Sequence, residues 1–97
     1  MPAFAVFIRE ETTDPAELAL YRSKAGATMQ GHPVTPLAAY GAIEVLEGPQ
    51  IEGAVILQFP TMAEARAWYE SPAYAEARAH RFAGAKFRAF LVEGIAR

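Results

Sequence analysis

Ala54-Val55-Ile56-Leu57-Gln58-Phe59, followed at once by Pro60-Thr61-Met62-Ala63-Glu64, is the stretch that decides the fold. The first segment is apolar at every position but Gln58 and rich in β-branched and aromatic residues, which reads as a strand. Thr61-x-x-Glu64 then reads as a capping box, in which the threonine side chain satisfies a free amide at the start of a helix. A strand therefore feeds directly into a helix. An antiparallel strand covered on one face alternates apolar and polar residues. Ala54 to Leu57 does not alternate, and neither does Phe4-Ala5-Val6-Phe7-Ile8, so both faces of this sheet need a cover.

Phe4 to Ile8 predicts the first strand. Asp14-Pro15-Ala16-Glu17 predicts a helix start, with Asp as cap and Pro at the first helical position. Leu18, Tyr21, Ala25 and Met29 then draw one apolar stripe, and the helix should stop near Gly31-His32-Pro33. Leu37 to Leu46 predicts a second strand with a bend at Gly41, paired through a Gly48 to Gly53 turn with Ala54 to Phe59. After Thr61, the residues Met62, Ala65 and Tyr69 form an inward stripe with Trp68 beside it. Ser71-Pro72 breaks that helix and caps another running to about Gly84, and Lys86 to Glu93 is the last strand. The order β-α-β-β-α-β is the ferredoxin-like plan, an α+β antiparallel sheet with its helices on one face. Since helices cover one face only, sheet-on-sheet pairing with a second copy is the economical cover for the other.

Residues 1–97 are too few for more than one core, so a single domain is expected. A domain of this size buries only about 60 to 65% of its unfolded surface, which favours association. The net charge is -2, without a block of like charge, so neither nucleic acid nor an anionic membrane is an expected partner. With zero cysteines, disulfides, iron–sulfur clusters, thiolate zinc sites and Cys nucleophiles are excluded together. No basic leader with an apolar run and no membrane-length segment is present, and a cytoplasmic location is the expectation. No His-Glu-x-x-His, P-loop, Gly-x-Gly-x-x-Gly or Gly-x-Ser-x-Gly occurs, so no metal and no cofactor is expected. The third strand also lacks the basic, aromatic signature of RNA-recognition domains.

Candidate site residues are those with polar handles on apolar bodies. Trp68, Tyr69, Ser71 and Tyr74 fall together around the helix break, a composition suited to a pocket rim. The structural alternative is that Trp68 and Tyr69 only pack the core and Ser71 only caps. Tyr74, Arg78 and Arg81 share one helix face, where guanidinium groups beside a phenol suit a small anion; the alternative is a solvated face. His32 and His80 are the candidates for proton transfer, since only histidine titrates near neutrality unperturbed. The expected ligand-binding set is Tyr21, Tyr40, Trp68, Tyr69, Ser71, Tyr74 and Arg81, around a pocket between sheet and helices.

Asp14-Pro15, Glu44-Val45-Leu46-Glu47-Gly48, Phe59-Pro60-Thr61, Ala65-Arg66-Ala67-Trp68-Tyr69, Ser71-Pro72, Tyr74 and Leu91-Val92-Glu93-Gly94 together resemble the bacterial DUF1330 family, a family of unknown function. Gly31-His32-Pro33 with His80-Arg81-Phe82 looks like a recurrent variant within it. The resemblance implies the dimeric α+β barrel, in which two ferredoxin-like sheets pack face to face. That superfamily includes cofactor-free monooxygenases, muconolactone isomerases, haem-dependent chlorite dismutases and stress-responsive barrels without an assigned reaction. No catalytic motif of these relatives is shared, and fold alone does not carry function. Two readings follow: a homodimeric enzyme of the cofactor-free monooxygenase or isomerase type acting on an unknown small molecule, or a non-catalytic ligand-binding or stress-associated dimer.

Overall fold

The computed structural model describes residues 1–95. Strand β1 (Ala3–Thr12) leads to helix α1 (Pro15–Ala25), which tightens into a 3₁₀ turn, Gly26–Met29. Strands β2 (Thr35–Ala39) and β3 (Gly53–Phe59) follow, then α2 (Met62–Tyr69), α3 (Pro72–Gly84) and β4 (Ala85–Glu93). The sheet order is β2-β3-β1-β4, with every neighbour antiparallel. This is the ferredoxin-like plan, with α2 and α3 in the place of its second helix.

Local chemistry fixes the helix starts. Asp14 accepts from the amides of Ala16 and Glu17, Thr61 from Glu64, and Ser71 from Tyr74, so each cap read from the sequence is made. One sheet face carries Ala3, Ala5 and Phe7 of β1 with Leu57 and Phe59 of β3. These are buried against Leu18, Tyr21, Ala65, Trp68, Tyr74 and Ala77 of the helices. The opposite face carries Phe4, Val6 and Ile8, paired with Gln58, Ile56 and Ala54, and with Val92, Phe90 and Arg88. No helix covers it, and Phe90 is 50% and Val92 46% exposed. The doubled apolar pattern thus has a structural cause: one set of side chains meets the helices and the other forms an open apolar sheet surface.

Two elements depart from the sequence reading. Helix α1 ends at Ala25, and the stripe continues through the 3₁₀ turn, which keeps Met29 against the core. Strand β2 occupies Thr35–Ala39 and not Leu37 to Leu46. Tyr40 adopts a φ of 57° while its amide donates to the Ala54 carbonyl at 2.9 Å, and this left-handed residue turns the chain away from the sheet. Pro36 is tolerated because β2 is an edge strand, and a register shift between Pro36 and Ala38 bulges Leu37 outward.

The helix layer is closed by a backbone contact at Gly84. A Cβ there would stand 2.6 Å from the Leu18 nitrogen. Its carbonyl accepts from the amides of Thr13 and Asp14, each at 2.9 Å, and so anchors the start of α1 on the end of α3. Gly84→Ala is therefore expected to destabilise by about 1 to 3 kcal/mol, because the obstructing atoms are backbone and cannot rotate away. Trp68→Ala, at a site 1% exposed, should cost about 3 to 5 kcal/mol. Denaturant unfolding of both variants checks these values, and a midpoint unchanged in either would contradict the packing described.

Candidate functional site

Between the sheet and the α1 side of the helix layer lies a cavity of about 210 Å³. Its floor is Phe7, Val55, Leu57 and Trp68; Tyr21, Ala25 and Met29 form one wall; Arg22, Pro36, Ala39 and Tyr40 complete the rim. The early end of β2 makes this space. Tyr40 turns out of the strand and lies against Gly53, where a Cβ would stand 2.6 Å from the Tyr40 ring. The Arg9 guanidinium stacks 5.1 Å over the Tyr40 ring and is paired through Nε with Glu52 at 3.2 Å.

The polar edges of the cavity are tied into the core. Trp68 Nε1 donates to Thr28 Oγ1 at 3.1 Å, and Thr28 in turn donates to the Ala25 carbonyl at 2.6 Å. The Tyr21 and Tyr74 hydroxyls lie 2.8 Å apart in a buried hydrogen bond. Burial pushes both phenols, and that of Tyr40, above their ordinary value of 10.0, so all three remain protonated near neutrality. Tyr21 and Tyr40 line the cavity, the Tyr21 hydroxyl being held by that of Tyr74, and Arg22 is the one cation among the lining residues. No carboxylate or imidazole is part of that lining.

The expected site residues separate into groups. Tyr21, Tyr40 and Trp68 meet at the cavity. Tyr74 lies behind it, bonded to Tyr21. Tyr69 lines a second cavity on the other side of Phe7, with Arg66, Glu70, Ala89, Phe90 and Leu91. Ser71 donates to the Trp68 carbonyl at 2.8 Å and caps α3, which uses its hydroxyl structurally. Arg81 is 2% exposed and donates to the Tyr69 hydroxyl at 3.3 Å, with its guanidinium 5.0 to 5.3 Å from the ring centres of Phe82, Phe87 and Phe7. The neighbouring Arg78 stacks 4.5 Å over Tyr69 and donates to its carbonyl.

The two histidines do not meet. His80 Nδ1 lies 2.6 Å from the Glu17 carboxylate, bridging α3 to α1 on the outer side of the helix layer. His32 lines a shallow groove with Pro33, Val34, Thr35, Gln58, Phe59 and Pro60. Neither is among the residues around the Tyr21 cavity, so the expectation of a pocket shared by both histidines is not met. Among the described residues no cluster of His, Asp and Glu is arranged to hold a metal ion, and no helix is long and apolar enough to cross a membrane. The sequence reading missed Arg22, Met29 and Phe7. Met29 is the last member of the stripe drawn through Tyr21 and Ala25, and Arg22 stands at its edge three residues before Ala25, which is the signal that marks both.

Solved structures share this architecture. A protein of unknown function from Rhodopseudomonas palustris, RPA0582, superposes with a TM-score of 0.76 at 17% identity, covering 99% of this chain and 84% of that one. A dimeric protein of unknown function with a ferredoxin-like fold, from Bacteroides fragilis, gives 0.62 at 11% identity and 96% coverage of both chains. SnoaB, a cofactor-independent oxygenase from Streptomyces nogalater, gives 0.63 at 13% identity, covering 99% of this chain and 95% of SnoaB. At these identities the likeness is one of fold. No curated protein matches the sequence. The model of the domain of unknown function DUF1330 matches residues 2–95, nearly the whole length, and the chain belongs to the DUF1330 family.

Proposed function

We propose that this chain forms a homodimer through its open sheet face and that each subunit binds a small, mainly apolar molecule in the cavity at Tyr21, Tyr40 and Trp68. The observation that carries the reading is the cavity itself: an apolar floor, Tyr21, Tyr40 and Arg22 in its lining, and a volume of about 210 Å³. An apolar cavity of roughly 150 Å³ accommodates benzene, so one substituted ring is the appropriate size. Mainly apolar walls with a few convergent polar groups are what a ligand site requires.

Binding is favoured over turnover by the chemistry of the lining. Proton abstraction, which a cofactor-independent oxygenase or an isomerase performs on its substrate, needs a base near its working pH. The lining offers protonated phenols and a guanidinium, which donate hydrogen bonds and accept no proton. The enzyme reading retains the fold shared with SnoaB and calls for His80 or His32 to reach the ligand.

The sole tryptophan lies in the cavity floor, so its fluorescence reports occupancy. Saturable quenching by a neutral one-ring compound such as benzamide, abolished by the cavity-filling change Ala39→Leu, is the expected result. The proposal fails if the compound leaves Trp68 unaffected in the intact protein.

The open face generates the test of assembly. Light scattering in dilute solution should give the mass of two chains, and Phe90→Glu, in the exposed apolar row, should give one. An interface of this kind has to bury at least about 1,000 Å² to be specific. A wild-type monomer refutes the dimer.

The protonated phenols have a consequence for stability. With a native pKa raised above the unfolded value, Tyr21 holds its proton in the native state under conditions where the unfolded chain has released it. The native state then binds more protons than the unfolded state, and stability falls as pH rises past about 10. Tyr21→Phe should flatten that fall in urea unfolding measured between neutral and alkaline pH.

A further inference from the structure

A buried guanidinium without an acid lies next to the cavity. Arg81 is 2% exposed, its Nε has no hydrogen-bond partner, and among the described residues no carboxylate pairs with it. Buried charges in proteins are normally paired, because an uncompensated ion in an apolar interior is costly. Ring faces and the phenols of Tyr69 and Tyr74 surround this one. Phe7 is shared between the two features: its ring lies against Arg81 and also forms part of the cavity floor.

The cavity is cationic from its other side as well. Arg22, in the last turn of α1, reaches its rim, and no described carboxylate pairs with it. Arg9 is also near, over the Tyr40 ring, but its charge is offset by Glu52. The Tyr40 phenol senses Arg9, Arg22 and Arg81 together, and Tyr21 senses Arg81. Arg22 at the rim and Arg81 behind Phe7, two positive charges without a described carboxylate partner, therefore flank one small apolar space whose lining holds no acid.

We propose that the ligand of this cavity is a small monoanion, an apolar ring carrying a single carboxylate. The carboxylate sits at the rim, ion-paired with Arg22 and hydrogen-bonded by the Tyr40 hydroxyl, while Arg81 supplies a fixed positive field from behind Phe7. A guanidinium and a carboxylate form the stronger, charge-assisted type of hydrogen bond, and the apolar walls lower the local dielectric and strengthen it further. The inference rests on the cavity being a binding site and adds the charge of what it holds.

Three probes of nearly one shape separate the possibilities: benzoate, benzamide and benzylamine, titrated into the wild-type protein at low ionic strength with Trp68 fluorescence as readout. Benzoate should bind at least about ten-fold tighter than benzamide, a difference of about 1.4 kcal/mol, and benzylamine should bind weakest. Added salt should reduce the benzoate advantage, and the exposed substitution Arg22→Gln should lower the benzoate to benzamide ratio. If benzamide binds as tightly as benzoate, or if Arg22→Gln leaves the ratio unchanged, the anion is refuted while the cavity stands as a binding site. If none of the three binds, the cavity reading fails and the anion falls with it.

Discussion

The burial of the Trp68 indole holds the molecule together. The ring, 1% exposed, contacts Phe7 of β1 and Phe59 of β3 with centroids at 6.1 and 5.6 Å, and Tyr74 of α3 at 4.2 Å. An indole can be buried this deeply only if its N–H finds a partner. Thr28 supplies it from the 3₁₀ turn at the end of α1. One side chain on α2 therefore sets the distances among both central strands, the helix after it and the turn before β2. The cavity is bounded by the same ring, so core packing sets its floor while the early end of β2 sets its rim. Close-packed interiors transmit small changes of volume, which makes the core and the cavity one mechanical unit.

Satisfying one face of the sheet in this way leaves the other without a cover. The antiparallel order β2-β3-β1-β4 places its helical connections on a single side. Phe4, Val6, Ile8, Ile56, Phe90 and Val92 then form a contiguous apolar row with Arg88 and Gln58 at its margins. Patches of this kind on a small chain mark surfaces that meet another surface. The dimeric Bacteroides fragilis protein shows that the architecture is compatible with pairing.

Much of this fold was legible because its signals are local. The caps at Asp14, Thr61 and Ser71 involve partners two or three residues away, and the apolar pattern of β1 and β3 depends only on which residues alternate. The end of β2 was not legible. Tyr40 ends that strand by adopting a left-handed conformation that depends on the space left at Gly53, a contact across the hairpin. The site shows the same division. Tyr21, Tyr40 and Trp68 were marked by residue type, whereas the pairing of His80 with Glu17, 63 residues apart, has no local signature. Arg81 runs against the usual expectation that arginine is exposed. Its aromatic enclosure is assembled from β1, α3 and β4, which no window of sequence displays together.

The electrostatics of the cavity also differ from those of the whole chain. A net charge of -2 suggests a surface that repels anions weakly, yet the acidic groups lie elsewhere: Glu17 on His80, Glu52 on Arg9, Glu76 on Lys24. The cavity has Arg22 at its rim and Arg81 behind Phe7, and no acid in its lining. A charge held behind an aromatic ring cannot form a directed hydrogen bond to a ligand on the far side. It acts through an apolar partition, where the field is screened much less than in water. In the proposed complex such a charge would select the sign of the ligand without fixing its orientation, which would be left to Arg22 and Tyr40 at the open side. The proposed site would therefore discriminate first by charge, then by size against the Trp68 floor, and only weakly by the substitution pattern of the ring.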